Sequence, residues 1–455
     1  MVQGKYVAAL DLGTSKIIAI AATKSKDGVI TISKTEKIAS GTCIRRGFIY
    51  NIEETSMKIS SLVKNLTRQL RPLQKIYVGI GGQSLRTEYY TAKKEINGEA
   101  VDNEIIDSLY EECRKYQPEM AEVLDIVSPE YFLDGRPETN PIGVPCQVIE
   151  AKFQLILGRP SLKLCLKKSI EEKSKIEIAG FFISPLATAA VVLSDREKEL
   201  GCALVEFGAG ITYLSVYKGN LLKYMIAIPL GGNVITKDLC SLNILEPDAE
   251  QLKISKGNAL NESEKEEPAD IIIESRVNEI IANIMKQIEI SGYGNELPEG
   301  IIITGGGALL KNMTLAIKKK TNMPVKLATA KESLVSEKSI DRILIEDPAN
   351  VTIFGLLYLA NDNCAKVIPR ETSFESRTTS YPSKYPQTPG QGGEKGQESQ
   401  ISLFDEEEID IVEKPTETTG RRLETPQKKK VGFFDRFKKG LEGASKSLFD
   451  DDNIE

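Results

Sequence analysis

The chain has 455 residues, 41% hydrophobic and 27% charged, with a formal net charge of -6. That balance fits a globular chain able to bury a sizeable core, and its sign argues against nucleic acid as the main partner. Histidine is absent, which excludes Ser-His-Asp triads, Cys-His dyads and HExxH zinc sites together.

In chain order, an apolar strand over 6–10 runs into the loop Asp11-Leu12-Gly13-Thr14-Ser15-Lys16. Apolar runs at 17–22 and 29–32 flank Lys26-Asp27-Gly28, a hairpin turn signal. Asn51, with Glu54 three residues on, resembles a capping box. Ile59, Leu62, Val63, Leu66 and Leu70 then repeat at helical spacing, and a strand follows at 76–80. Three strands, a helix and a strand make a mixed α/β unit. Residues 83–163 hold polar strands, a helix around 103–116 and a Pro/Gly-rich loop near 135–145, and read as a small α+β module inserted into the first domain.

A second opening of the same kind begins near Gly201. An apolar run at 202–205 meets the loop Glu206-Phe207-Gly208-Ala209-Gly210-Ile211-Thr212, strand-like runs flank Lys218-Gly219-Asn220, and Ile273, Val277, Ile280, Ile281, Ile284 and Ile288 mark the core stripe of a long helix. A strand at 301–303 then enters Gly305-Gly306-Gly307. Two strand-acid-loop-strand units signal duplication at domain scale. The P-loop and GxGxxG patterns are absent, and no apolar run reaches the roughly 18 residues of a spanning helix. The N-terminus does not read as a signal peptide. Seven scattered cysteines without CxxC spacing point to a reducing cytoplasm and to small buried hydrophobes.

The two acidic loops carry phosphate-binding chemistry. Glycines let the backbone turn tightly and bring N–H groups against phosphate oxygens. Thr14, Ser15 and Thr212 add hydroxyls, and Lys16 adds a cation. Asp11 and Glu206 would repel phosphate unless a divalent cation lay between, so they imply Mg²⁺ held through water. Gly305, Gly306 and Gly307 leave room for a flat base.

In that order, these loops resemble those of the actin/Hsp70/sugar-kinase superfamily and, within it, the FtsA family of bacterial cell-division actin homologues. LDLGTSK matches the first phosphate motif, PLGGNVITKDL a family signature and ITGGGALL the adenosine motif. SPLATAAVVLSDREKELG and DPANVTIFGLLYLA look like the two connecting helices, and AEQLKISKGNA like the nucleotide-side helix. The resemblance implies an actin-like, ribonuclease H-like duplicated ATPase fold with an inserted α+β (SHS2-like) subdomain. Its parts would be 1–82 with 164–195 and 346–368 (subdomain 1A), 83–163 (1C), 196–228 with 299–345 (2A) and 229–298 (2B).

The resemblance also implies ATP and Mg²⁺ as cofactors. Asp11 and Glu206 would face the metal, while Gly13, Thr14, Ser15, Lys16, Gly208, Gly210 and Thr212 would hold phosphates. Glu250 and Lys253 would approach ribose or adenine, or else form a solvated helix face. Gly305, Gly306 and Gly307 would pack against adenosine. The second loop departs from the family's DxGGGT, since Glu206 is longer by a methylene and Ala209 replaces a glycine. ATP binding with slow turnover is therefore expected, and no residue stands out as catalytic base. The implied function is a polymerising adaptor, not an enzyme, that binds FtsZ, anchors its ring to the cytoplasmic face of the membrane at the division site and recruits later divisome proteins. A sugar kinase or other phosphotransferase of the same fold is the alternative. An Hsp70-like chaperone would need a peptide-binding domain that 369–427 cannot build. A pilus-assembly relative would lack the terminal segment.

Past Pro369 the composition shifts to Ser, Thr, Pro, Gly, Gln and Glu, too polar to offset its ordering entropy, so 369–427 is expected to be a disordered linker. The acidic run 405–410 within it reads as spacer or partner motif. Residues 428–455 form an amphipathic membrane-targeting segment. Lys428, Lys429, Lys430, Arg436, Lys438 and Lys439 oppose a face of Phe434, Phe437, Leu441, Ala444 and Leu448, with Phe433 beside it. Its expected partner is an anionic lipid surface, with a protein groove as the other reading. Each cation near such a surface contributes about 1 kcal/mol. A chain carrying Phe434→Glu and Phe437→Glu should stay in solution in flotation with anionic liposomes, while the unaltered chain floats; equal flotation would remove the lipid assignment.

Overall fold

A computed structural model describes residues 4–261 and 267–366. The linker read at 369–427 and the amphipathic segment at 428–455 lie outside the described residues. The first sheet is built around strand Lys5–Leu12. Antiparallel to it runs Lys16–Lys24, which in turn pairs with Ile30–Ala39. The turn between the last two relies on Gly28, at φ +83°, a conformation costly for any residue with a Cβ. On the other side, Lys75–Ile80 and Glu177–Ile183 add in parallel. Helix Ile52–Thr67 covers one face; the Asn51 side chain caps it by accepting from the Glu54 N–H at 3.0 Å.

The second half repeats this plan. Cys202–Phe207 is flanked antiparallel by Thr212–Lys218 and then Leu221–Ile228, and parallel by Ile301–Thr304 and then Val325–Leu327. Helix Pro268–Ile290 buries Ile273, Val277, Ile280, Ile281, Ile284 and Ile288, the stripe read from their spacing.

The inserted strands form an antiparallel sheet, in the order Arg86–Glu95, Val148–Gly158, Glu122–Leu133, Arg136–Glu138, backed by helix Asn103–Arg114. The short strand Arg136–Glu138 falls within the stretch expected to be a Pro/Gly-rich loop, because Asp134 and Gly135, both at positive φ, make a tight hairpin. Although inserted into the chain of the first lobe, this sheet joins the second. Ile226 pairs with Arg86, and the Ala227 N–H donates to the Leu85 carbonyl at 2.9 Å. Lys223, 9% exposed, lies 2.8 Å from Glu130. The outcome is one nine-stranded sheet.

Two short helices, Ser184–Val192 and Val351–Leu359, connect the lobes' sheets and are buried on nearly every side. Their apolar sequences lack a polar face, as expected for helices enclosed in protein. They cross at Gly355, where an added Cβ would stand 2.0 Å from the Ala187 carbonyl oxygen. Gly355→Val should therefore lower stability by about 3 kcal/mol, read as a reduced midpoint in thermal unfolding; an unchanged midpoint would show the crossing to be loosely packed.

Candidate nucleotide site

Between the two lobes lies a cleft of about 440 Å³, within the usual range for small-molecule sites. Its phosphate end is made twice by the same geometry. The Gly13 N–H donates to the Lys16 carbonyl at 2.9 Å, and the Gly208 N–H donates to the Ile211 carbonyl at 2.9 Å. A Cβ on Gly13 would lie 2.9 Å from that first carbonyl oxygen, and one on Gly208 2.7 Å from the second. The two turns touch each other, since a Cβ on Gly210 would meet Thr14 Oγ1 at 2.7 Å. Thr14 Oγ1 itself accepts from the Gly47 N–H at 3.0 Å.

Asp11 and Glu206 sit at corresponding places, on the last turns of the two central strands rather than inside the loops. Both carboxyls are desolvated, although each residue keeps partial contact with the open cleft. Desolvation pushes Asp11 up to about 6 despite the nearby Lys16. Desolvation likewise pushes Glu206 up to about 7; hydrogen bonds from Thr352 and Thr188 oppose the shift and the Asp11 charge adds to it. Thr352 Oγ1 donates to Glu206 Oε1 at 2.9 Å and lies 3.0 Å from Thr188 Oγ1. Glu206 Oε2 is buried with no hydrogen-bond partner. Two desolvated carboxyls lining one cleft, one of them with an orphaned oxygen, suit a hydrated divalent cation. Among the described residues no cluster of three or more Cys, Asp or Glu could hold a metal by protein ligands alone, so water and phosphate would complete its shell.

Lys16 lines the same cleft, and its Nζ donates to Asn350 Oδ1 at 2.5 Å. Burial lowers its pKa, while Asp347 and Asp11 act the other way. Asn350 in turn donates to Asp347 Oδ2 at 2.9 Å. The turn Pro348–Asn350 also accepts from the base-side loop, since the Gly305 N–H donates to the Pro348 carbonyl at 3.2 Å. Gly305 has φ +88°, and a Cβ there would stand 2.4 Å from the Phe207 carbonyl oxygen. Gly306 and Gly307 line the cleft beside it.

On the far wall, helix Glu246–Lys256 presents Glu250 and Lys253, paired at 2.7 Å. Lys253 Nζ also donates to Thr236 Oγ1 at 2.8 Å and to the Gly232 carbonyl at 3.2 Å. Its charge is thus spent within the protein, which suits contact with a neutral ribose or base better than with phosphate. Ser15 and Gly210 also line the cleft. Thr212 does not. It is buried in its strand, and its hydroxyl donates to the Leu230 carbonyl at 2.7 Å, so it fastens the loop without facing phosphate.

Sequence reasoning missed Thr188, Thr352, Asn350 and Tyr213. A lone threonine within each apolar connecting helix was the available signal. Tyr213 left none; its buried hydroxyl accepts from the Gly82 N–H at 2.7 Å, at the root of the inserted module.

The family model "Cell division protein FtsA" matches residues 203–355, and "SHS2 domain inserted in FTSA" matches 82–157. The cell division protein FtsA of Porphyromonas gingivalis is 32% identical over 384 residues, 79% of each chain. The chain belongs to the FtsA family of cell division proteins. FtsA of Bacillus subtilis is 28% identical, over 80% of this chain and 86% of that one; FtsA of Escherichia coli K12 is 24% identical, over 71% and 84%. Among solved structures, the "PilM-PilN type IV pilus biogenesis complex" superposes with TM-score 0.59 at 14% identity, over 77% of this chain and 97% of that one, a likeness of fold alone. The fold is the two-domain, actin-like one with an inserted SHS2 subdomain.

The raised pKa of Glu206 fixes a sign. A carboxyl whose folded-state pKa exceeds its unfolded value stabilises the fold while protonated, and that contribution is lost as pH rises through the folded pKa. Glu206→Gln should therefore stabilise the metal-free protein at pH 8 by on the order of 2–3 kcal/mol, with little change at pH 5, read by denaturant unfolding at both pH values. Equal effects at the two pH values would show that Glu206 is not held in its neutral form.

Proposed function

We propose that the chain binds ATP with Mg²⁺ in the interlobe cleft and uses the bound state to assemble into polymers that tie FtsZ to the cytoplasmic face of the membrane. The observation that carries this reading is the convergence of Asp11, Glu206 and three glycine-bearing turns on one cleft. Asp11 and Glu206 would face the cation through water. Gly13, Thr14, Ser15, Lys16, Gly208 and Gly210 would hold phosphates by backbone N–H, hydroxyl and ammonium donors. Glu250 and Lys253 would orient the ribose or base, and Gly305, Gly306 and Gly307 would let adenosine lie against the backbone. The cation, when bound, supplies charge neutralisation between the acids and the phosphates.

This chain's own groups argue for slow turnover. Both desolvated carboxyls would be committed to the cation. Thr352 and Thr188 hold Glu206 in one orientation, away from any role as a free base. The protein thus acts as an adaptor whose nucleotide stabilises the closed pair of lobes, with ATP hydrolysis at most slow.

The outer part of the second lobe, 229–298, would receive FtsZ, and the inserted subdomain would receive later divisome proteins. The segment 428–455 would attach the assembly to anionic lipid as a peripheral anchor; among the described residues no helix is long and apolar enough to cross a membrane. Many weak anchors on one polymer hold by effective concentration.

Isothermal titration should show one ATP site that requires Mg²⁺, weakened at least tenfold by Asp11→Asn. Cosedimentation on anionic vesicles should carry FtsZ down with the full chain but not with one ending at Gln427. A folded protein without ATP binding would remove the nucleotide reading, and FtsZ sedimenting equally with both chains would remove the anchor.

A further inference from the structure

A second chamber of about 580 Å³ lies behind the phosphate turns. It shares Thr14, Ala209, Gly210 and Asn233 with the nucleotide cleft, so the two adjoin at those residues. Four basic side chains line it, Arg45, Arg46, Arg159 and Lys237, against one acid, Glu246. They come from three separate stretches: the Ile44–Arg45 strand with the turn after it, the residue following strand Val148–Gly158, and helix Gly232–Leu239. None of the four makes an ion pair among the described residues.

The cluster is positioned as well as charged. The Arg45 guanidinium stacks 3.7 Å from the centroid of the Tyr50 ring, a contact that orients its planar fork. Arg46 sits at φ +48° and donates to Gln83 Oε1 at 3.3 Å. The Arg159 N–H donates to Ser84 Oγ at 3.1 Å. The Asn233 N–H donates to the Ala209 carbonyl at 2.8 Å, which joins the helix bearing Lys237 to the phosphate turn. Like charges brought together without counter-charges repel, and an anion bound among them removes that repulsion.

We infer that this chamber is a second anion site, taking a phosphoryl group separately from the nucleotide. The residues it shares with the phosphate turns make it the neighbouring station for inorganic phosphate released from a nucleotide, or for a phosphomonoester arriving from solution. Arg45, Arg46 and Arg159 offer paired N–H donors suited to phosphate oxygens, and Lys237 adds a point charge. The inference deepens the nucleotide reading of the adjoining cleft, and phosphate binding to the nucleotide-free chain tests it apart from that reading.

The test is titration of inorganic phosphate into the full chain, free and saturated with ADP and Mg²⁺, followed by ³¹P line broadening and calorimetry. Phosphate should bind in both states. The double variant Arg159→Gln, Lys237→Gln should weaken it at least tenfold, and Lys237→Glu alone should do so more strongly than Lys237→Gln alone. All these side chains are exposed, so ADP affinity should stay within twofold. Competition by glucose 6-phosphate at similar concentration would assign the site to phosphomonoesters as well as free phosphate; its absence would assign it to free phosphate. Phosphate binding that vanishes on ADP loading, or that persists unchanged in the double variant, would overturn the inference. Failure of ADP to bind while phosphate still does would strike the nucleotide reading instead.

Discussion

Two carboxyl groups kept out of water at the meeting point of two lobes are the constraint on which the rest depends. Asp11 and Glu206 end equivalent strands, and each is buried where ionisation is costly. Such groups are tolerated when a ligand supplies the missing counter-charge. Around them stand turns that expose N–H groups, a lysine steadied by Asn350, and the glycines Gly13, Gly208 and Gly305, where a side chain would collide with backbone. A site of this kind is incomplete by itself, and in the proposed function a nucleotide with its cation would complete it. Binding energy then becomes energy that holds the lobes together.

The two connecting helices make that link mechanical. They cross at Gly355 against Ala187, and from the same crossing Thr188 and Thr352 reach Glu206. The packing contact between helices and the polar contact at Glu206 are thus adjacent turns of the same elements. A shift at one cannot leave the other unchanged, because close-packed interiors deform little. Tyr213 extends the connection to Gly82, where the chain leaves the first lobe for the inserted subdomain. That subdomain in turn continues the sheet of the second lobe through Ile226 and Arg86. The insertion therefore belongs to one lobe by chain and to the other by hydrogen bonding.

Much of this was legible in the order of residues. Hydrophobic period separated strand from helix, as at Ile273–Ile288 on the long helix. Two acid-glycine loops revealed the duplication, and the polar run past Pro369 marked where core-forming composition ends. Local signals carry such information because turn chemistry and side-chain periodicity act over a few residues. Candidate residues chosen for their chemistry at those loops came together in the cleft, with Thr212 as the exception: its alternation within the strand turned the hydroxyl inward to Leu230.

Other properties waited for the tertiary structure. Asn350 reaches Lys16 from a position far along the chain, and no local pattern records such a pairing. The threonines on the connecting helices looked like minor polar interruptions until the helices crossed beside Glu206. No local pattern joins Arg45, Arg159 and Lys237, because their convergence is produced by folding three distant stretches around one chamber. The sequence by itself determined the type of the main strands and helices, the repeated lobe plan and the chemistry of the glycine-bearing turns, all consequences of short-range sterics and burial. Which distant groups share a desolvated space, and so which charges are raised, paired or left waiting for a ligand, was decided only by long-range packing.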